Sequence, residues 1–321
     1  MNLKSVTSHS DELAKPVNNC RLTLRDYQKG CGTPFNEQII LINNPRIFDG
    51  YTPYRIPFKK NRIAAAASGV CRFGRSLISS AEFGKLRSDK IFIGYFDRSF
   101  DRLDILREVF AQIECLPEIQ FEILIGKGDY CVEKQLSENI PENVDRIYAN
   151  NLNARDSRLQ YLPMGRDFRS VDVFKNRHPC EDKKTLCYCN FSTSTHPVRK
   201  QLLGMIESKS FIVKQHLGEF LNYSITREEF FDALESSKFC ICPRGNAYDT
   251  FRMWDALYSG TVPIVVREAV FHELLEDLPI LFLDSYDDFE NLDAEALESA
   301  YSRMLDTEFN FEKLRASCWL N

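Results

Sequence analysis

The stretch Ser237-Lys-Phe-Cys-Ile-Cys-Pro-Arg-Gly-Asn-Ala-Tyr-Asp-Thr-Phe-Arg-Met-Trp-Asp-Ala-Leu-Tyr-Ser-Gly-Thr-Val-Pro-Ile-Val-Val266 decides the fold. Phe239 to Cys242 is a short apolar run, and Pro243-Arg244-Gly245-Asn246 ends it with residues that force a turn. Asp249 is expected to open a helix that runs to Gly260, a residue suited to a left-handed C-terminal cap. Val262 to Val266 is a β-branched run of the kind buried in parallel sheets. The pattern is one βαβ unit. Its first loop, between the carboxyl end of a strand and the amino end of a helix, offers free N–H groups and a positive dipole to an anion.

Arg244 and Gly245 lie in that loop, and Asp249, Arg252 and Asp255 follow at helical spacing as neighbouring side chains. Such an array suits a nucleotide: guanidinium forks grip a diphosphate, and a carboxylate accepts ribose hydroxyls. A ladder of surface salt bridges on an ordinary helix has the same spacing, so the pattern alone leaves both readings open. The order Phe239-Cys-Ile-Cys-Pro-Arg-Gly-Asn, Asp249, Arg252, Asp255-Ala-Leu, Gly260 and Val262-Pro-Ile-Val265 resembles the signature of the exostosin-like glycosyltransferases. In that signature Glu usually stands where this chain has Asp255. The resemblance extends over about residues 185 to 283.

The resemblance implies an α/β fold of two facing Rossmann-like domains, the GT-B arrangement, with C-terminal helices packing back on the first. Residues 1–165 would form the acceptor-side domain, 166–305 the nucleotide-sugar donor domain and 306–321 a helix crossing back. It also implies an inverting transfer of sugar from a nucleoside-diphosphate sugar, with uridine diphosphate as the expected nucleotide, to a glycan hydroxyl in surface-glycan or glycoprotein synthesis. The expected donor contacts are Asn190, Ser192, Thr195, Arg199, Arg244, Gly245, Asn246, Asp249, Arg252 and Asp255, with Arg244 and Arg252 also stabilising the leaving group. Asp97, just past a strand end, is the candidate base. A non-catalytic partner subunit keeping the same fold is the alternative, and a nucleotide-sugar epimerase on the same architecture is a third reading.

Composition bounds these readings. A chain of 321 residues suggests two domains, and 44% apolar with 27% charged residues is the balance of a globular protein. A net charge of −5 provides no general basic field for nucleic acid or anionic lipid. No stretch approaches the length of a membrane span, and Met1 to His9 has no signal-peptide core, so a cytoplasmic location is expected, bacterial or, for a viral enzyme, in the host cell. Eleven cysteines without Cys-x-x-Cys pairs read as reduced core thiols. No Asp-x-Asp triplet occurs, so no metal is expected: fixed arginines rather than a divalent ion would neutralise the diphosphate.

Elsewhere, residues 1 to about 35 read as an irregular lead-in, and strands are expected at Gln38–Ile42, Ile91–Tyr95, Phe121–Ile125 and Arg146–Tyr148. Tyr51, Tyr54 and Phe58 could stack on a sugar or simply pin a loop to the core. Gln160–Gly165 reads as a strand ending the first domain, and 166–184 as a polar linker. A strand at Thr185–Phe191 leads to Ser192-Thr-Ser-Thr195, whose hydroxyls are expected to cap a helix starting near Pro197. A capping box is expected around Ser224 with Arg227-Glu-Glu229. Closing helices are expected at Ala294–Leu305 and Glu308–Trp319.

Overall fold

The computed structural model describes residues 21–31, 52–53, 90–94, 107, 109–111, 113–126, 129, 131–167, 171–174, 177–215, 225–315 and 318–319. The chain divides into two units, Met1–Lys15 with Ile42–Leu162 and Pro16–Leu41 with Pro163–Asn321. Strand β1 (Arg21–Thr23) and helix α1 (Leu24–Gln28) therefore belong to the second unit, where the sequence suggested only an irregular lead-in. Thr23 makes the local start: its hydroxyl accepts from the Asp26 N–H at 3.1 Å and caps α1.

The first unit holds β2 (Thr52–Pro53), β3 (Lys90–Gly94), β4 (Phe121–Gly126), β6 (Val144–Ala149) and β8 (Leu159–Tyr161) in one parallel sheet, ordered β2-β3-β4-β6-β8. Short β5 (Val132–Glu133) and β7 (Leu152–Asn153) pair separately. Three of the expected strands are present as β3, β4 and β6. Ile123, Ile125, Ile147 and Leu159 are buried, as strands in a parallel sheet require. The expected features at 38–42, 51, 54, 58, 97 and 224 lie outside the described residues.

The second unit is built on β9 (Thr185–Cys189), β10 (Ile212–Lys214), β11 (Ser237–Ile241), β12 (Val262–Val266) and β13 (Leu281–Leu283). They form one parallel sheet ordered β10-β9-β11-β12-β13. Counted within the unit this is 2-1-3-4-5, so the winding direction reverses between β9 and β11. In open α/β sheets a ligand lies outside the carboxyl ends of the strands at that reversal. Hence the segments after β9 and β11 are placed side by side: Asn190 to Arg199, and Cys242 to Arg252.

Five further helices complete the part of the unit that matters for the site: α2 (Val171–Phe174), α3 (Pro197–Ile206), α4 (Arg227–Glu235), α5 (Phe251–Tyr258) and α6 (Ala294–Leu305). Helix α5 packs on β12 and buries Met253, Trp254, Ala256 and Leu257. Burying side chains of the size of Met, Trp and Leu stabilises by roughly 2 kcal/mol each. Gly260, at φ +64°, ends α5 as the expected left-handed cap, and Gln28 of α1 donates to its carbonyl at 2.6 Å. The capping box of α4 uses Thr226 with Glu229, whose N–H reaches the threonine hydroxyl at 3.1 Å.

Two expectations are corrected by packing. The stretch 166–184 is not merely a polar linker: Arg166 and Phe174 are buried. The expected helix 308–319 is instead strand β14 (Glu308–Asn310) followed by a 3-10 turn at Phe311–Leu314. β14 pairs antiparallel with β1. Phe311 stacks on Tyr27 at 4.0 Å between ring centroids, so alternating Phe309 and Phe311 are used as strand-like anchors rather than as a helical stripe.

Candidate anion-binding site

At the sheet's reversal point three arginines converge. Arg199, on the first turn of α3, turns its guanidinium back into the molecule and is buried. Its Nε donates to the Arg244 carbonyl at 2.7 Å, Nη2 to the Pro243 carbonyl at 3.0 Å and Nη1 to the Ser192 carbonyl at 3.1 Å. The loop after β11 is therefore clamped onto the loop after β9 by one side chain. Burial first, and then the charge of Arg252, push the Arg199 pKa down to about 9.

Gly245 is explained by this clamp: a Cβ there would lie 3.3 Å from Arg199 Nη2. Its role in the structure is to let the guanidinium approach the loop. Thr195 sits nearby, with its Oγ1 3.9 Å from the same Cβ position. The hydroxyls of Ser192 and Thr195 do not cap α3. His196 does, accepting from the Val198 N–H through Nδ1 at 3.3 Å ahead of Pro197. Burial and the charges of Arg244 and Arg199 lower the His196 pKa.

Arg244 stacks its guanidinium on the Tyr248 ring, 3.8 Å from the centroid. Its Nη2 donates to the Asn246 carbonyl at 3.4 Å, and its Nη1 lies 3.8 Å from Glu268 Oε1. Arg252, the second residue of α5, reaches Asn190 Oδ1 with Nη2 at 3.4 Å. Its Nε is buried with no hydrogen-bond partner among the described residues. A buried, unsatisfied donor on a guanidinium is costly and marks a place where a ligand acceptor fits.

Two of the expected donor contacts take other roles. Asp249 precedes α5 rather than opening it: Thr250 is the N-cap, its hydroxyl accepting from the Met253 N–H at 3.4 Å. The Asp249 carboxylate is buried and accepts from the Met164 N–H at 2.7 Å and the Trp254 Nε1–H at 2.8 Å. It ties the entry of the chain into this unit to the helix that carries Arg252. Asp255 is also buried, and its Oδ1 accepts from Arg166 Nε at 3.2 Å. Burial raises its pKa to about 6, against the pull of Arg166. Arg166 in turn lies over the rings of Phe174 at 4.1 Å and Tyr258 at 4.8 Å.

The structure thus brings Arg199, Arg244, Arg252, Asn190, Thr195 and Gly245 together and engages Asp249 and Asp255 with Met164, Trp254 and Arg166. Sequence spacing passes over Tyr248, Glu268, Tyr286 and Arg166. Glu268 lies two residues past the end of β12, a position that the strand-end rule alone could have singled out. Among the described residues no helix is long and apolar enough to cross a membrane.

Comparison with known proteins bears on the same segment. Residues 145–279 match the model of the Exostosin GT47 domain, a span that contains Asn190, Arg199, Arg244, Arg252 and Glu268. A probable glycosyltransferase of Arabidopsis thaliana is 32% identical over 106 residues, covering 32% of this chain and 20% of that protein. This chain thus spans about a fifth of that relative. Among solved structures, an alpha1,3-fucosyltransferase with GDP aligns at 14% identity with a TM-score of 0.42, covering 74% of this chain and 77% of that one. A UDP-forming alpha,alpha-trehalose-phosphate synthase from Burkholderia vietnamiensis aligns at 9% identity with a TM-score of 0.42, covering 75% of each chain.

Proposed function

We propose that this chain, whose residues 145–279 match the Exostosin GT47 domain, is a glycosyltransferase that takes a nucleoside-diphosphate sugar as donor in its second unit. The observation that carries the proposal is the unsatisfied Nε of Arg252 beside the guanidinium groups of Arg199 and Arg244 at the sheet reversal. Among the described residues Glu268 lies beside Arg244, and Asp255, which feels the Arg252 charge, is itself paired with Arg166, so the three guanidinium groups leave excess positive potential in a partly water-excluded place. A diphosphate matches it. Arg252 supplies a free donor, Arg244 a second fork, and Arg199 holds both loops and adds charge.

In the proposed reaction the bond from the anomeric carbon to the β-phosphate oxygen breaks as an acceptor hydroxyl attacks from the opposite face and gives its proton to a general base, so that the nucleoside diphosphate leaves and the anomeric carbon is inverted. Charge builds on the departing diphosphate, and preorganised guanidinium groups lower the barrier without reorganising. On this reading the fixed cations replace a divalent ion, the nucleotide is uridine diphosphate and the acceptor is a glycan hydroxyl.

The test is release of free nucleoside diphosphate from a panel of UDP- and GDP-sugars by the purified chain, with and without EDTA. Hydrolysis or transfer of one donor, unchanged by EDTA and reduced at least about a hundredfold by Arg252→Ala, is expected. Turnover abolished by EDTA would overturn metal independence. Tight donor binding with no turnover would favour a non-catalytic partner subunit.

A further inference from the structure

A nucleoside diphosphate brings ribose hydroxyls as well as phosphates to its site, and buried hydroxyl donors need acceptors. Asp255 cannot serve as the structure stands, because it is buried and holds Arg166. Resting on the donor reading above, we infer that Glu268 accepts the ribose hydroxyls of the bound nucleotide and sets the preference for a ribonucleotide.

Glu268 is placed for this by its position in the sheet and by contacts with Tyr286 and His272. It follows β12 at the carboxyl edge of the sheet, on the side where the loops of Asn190 and Arg244 lie. Its Oε2 accepts from the Tyr286 hydroxyl at 2.9 Å, and that same hydroxyl accepts from the Arg244 N–H at 3.4 Å. Its own backbone is fixed from below: buried His272 accepts through Nδ1 from the N–H groups of Glu268 at 3.2 Å and Ala269 at 3.3 Å. The carboxylate is held in place yet not used up. Tyr286 takes one acceptor site of about four on an ionised carboxylate, and Arg244 Nη1 at 3.8 Å is too far for a hydrogen bond.

The charge pattern points to the same ligand. A site made for free phosphate or pyrophosphate gains nothing from a carboxylate beside its arginine, which would repel the anion. A nucleotide resolves the conflict, because its phosphates face the guanidinium groups while its neutral hydroxyls donate to the acid. Glu268 is then a specificity-determining residue at the boundary between phosphate and sugar.

The experiment is equilibrium binding of UDP, GDP, their 2′-deoxy and 3′-deoxy counterparts and inorganic pyrophosphate to the full chain, in wild type, Glu268→Gln, Glu268→Ala and Asp255→Asn, each checked for cooperative thermal unfolding. Wild type is expected to prefer the ribonucleotide about tenfold or more over one deoxy form, the scale of a hydrogen bond to a charged group. Glu268→Ala should bring that ratio to about one, and Glu268→Gln, whose amide oxygen still accepts but carries no charge, should lower it, while pyrophosphate binds as well as before or better in both and Asp255→Asn keeps the ratio. A ratio that survives Glu268→Ala or collapses in Asp255→Asn overturns the assignment, as does a wild type indifferent to the deoxy change. A wild type that binds no nucleoside diphosphate overturns the donor reading itself. Should the alanine variant unfold, a ratio undiminished in the nearly isosteric Glu268→Gln overturns the assignment.

Discussion

Arg199 Nε donates to the backbone carbonyl of Arg244 at 2.7 Å, so one arginine of the site fixes the loop that carries another. Positive charge and loop geometry are supplied by the same guanidinium. Arg199→Lys preserves the charge but not the planar fork that spans the carbonyls of Ser192, Pro243 and Arg244. The variant should fold with a loss of about 1–2 kcal/mol in denaturant unfolding and bind nucleoside diphosphate at least about tenfold more weakly. Unchanged affinity by calorimetry would show that the loop keeps its shape without the clamp.

Gly245→Ala tests the close approach. The added methyl would press on Arg199 Nη2 from 3.3 Å, so the clamp must shift while the core is untouched. Donor affinity should fall several-fold with a stability change under about 0.5 kcal/mol. Gly260→Ala should behave in the opposite way: φ is +64° and the new Cβ would meet Gln28 Cγ at 3.0 Å. A loss of about 1–2 kcal/mol in unfolding free energy with donor affinity retained is expected.

The Arg166–Asp255 pair is almost wholly excluded from water, with side-chain exposures of 2% and 7%. Removing one member of such a buried pair costs about 3–5 kcal/mol, whereas replacing both can be neutral or better. Asp255→Ala should therefore destabilise strongly, and Arg166→Met with Asp255→Leu should recover most of the loss in a double-mutant cycle. Additive losses would contradict a direct interaction.

His272 makes stability depend on pH. Burial first, and then the charge of Arg267, lower its pKa from 6.5 to about 4, in keeping with an Nδ1 that accepts two N–H bonds. Between those values the unfolded chain takes up a proton that the folded chain refuses. Stability is therefore fully present above pH 6.5 and is lost as pH falls toward 4, by an amount on the order of 3 kcal/mol. His272→Asn, which keeps an acceptor but cannot titrate, should remove that contribution, so that across the window the variant gains less stability with rising pH, or loses more, than wild type. Asp255 works in the opposite sense: its carboxyl, raised to about 6, favours the folded state below pH 3.8 and loses that contribution as pH rises through 6. An equal slope in wild type and His272→Asn would remove His272 as the cause.

Local pattern revealed what local forces build. Val262–Val266 and Ala294–Leu305 are the expected strand and helix with the same ends, because β-branched runs and helical spacing act over a few residues. The three arginines were legible for the same reason: Arg244 lies in a strand-to-helix turn, and Arg199 and Arg252 lie in the first turn of the helices that follow such turns. Asp249 and Asp255 were not, since what decides their role is Met164 and Arg166, 85 and 89 positions away. Nor was residue 308 onward, where Phe309 and Phe311 suit a helix or a strand equally until β1 is there to pair with.

The β1–β14 ribbon couples segments that are synthesised far apart in time. Arg25 meets Asp306 across 281 positions, and Tyr27 meets Phe311 just beyond. A ribosome adding about 5–20 residues per second needs on the order of 15–60 s to deliver that partner. The unit that carries the arginines can close only after its last strand has emerged. An excised fragment starting at Pro163 would lack β1 and α1, and a screen for a minimal expressible domain should graft residues 21–31 back onto it.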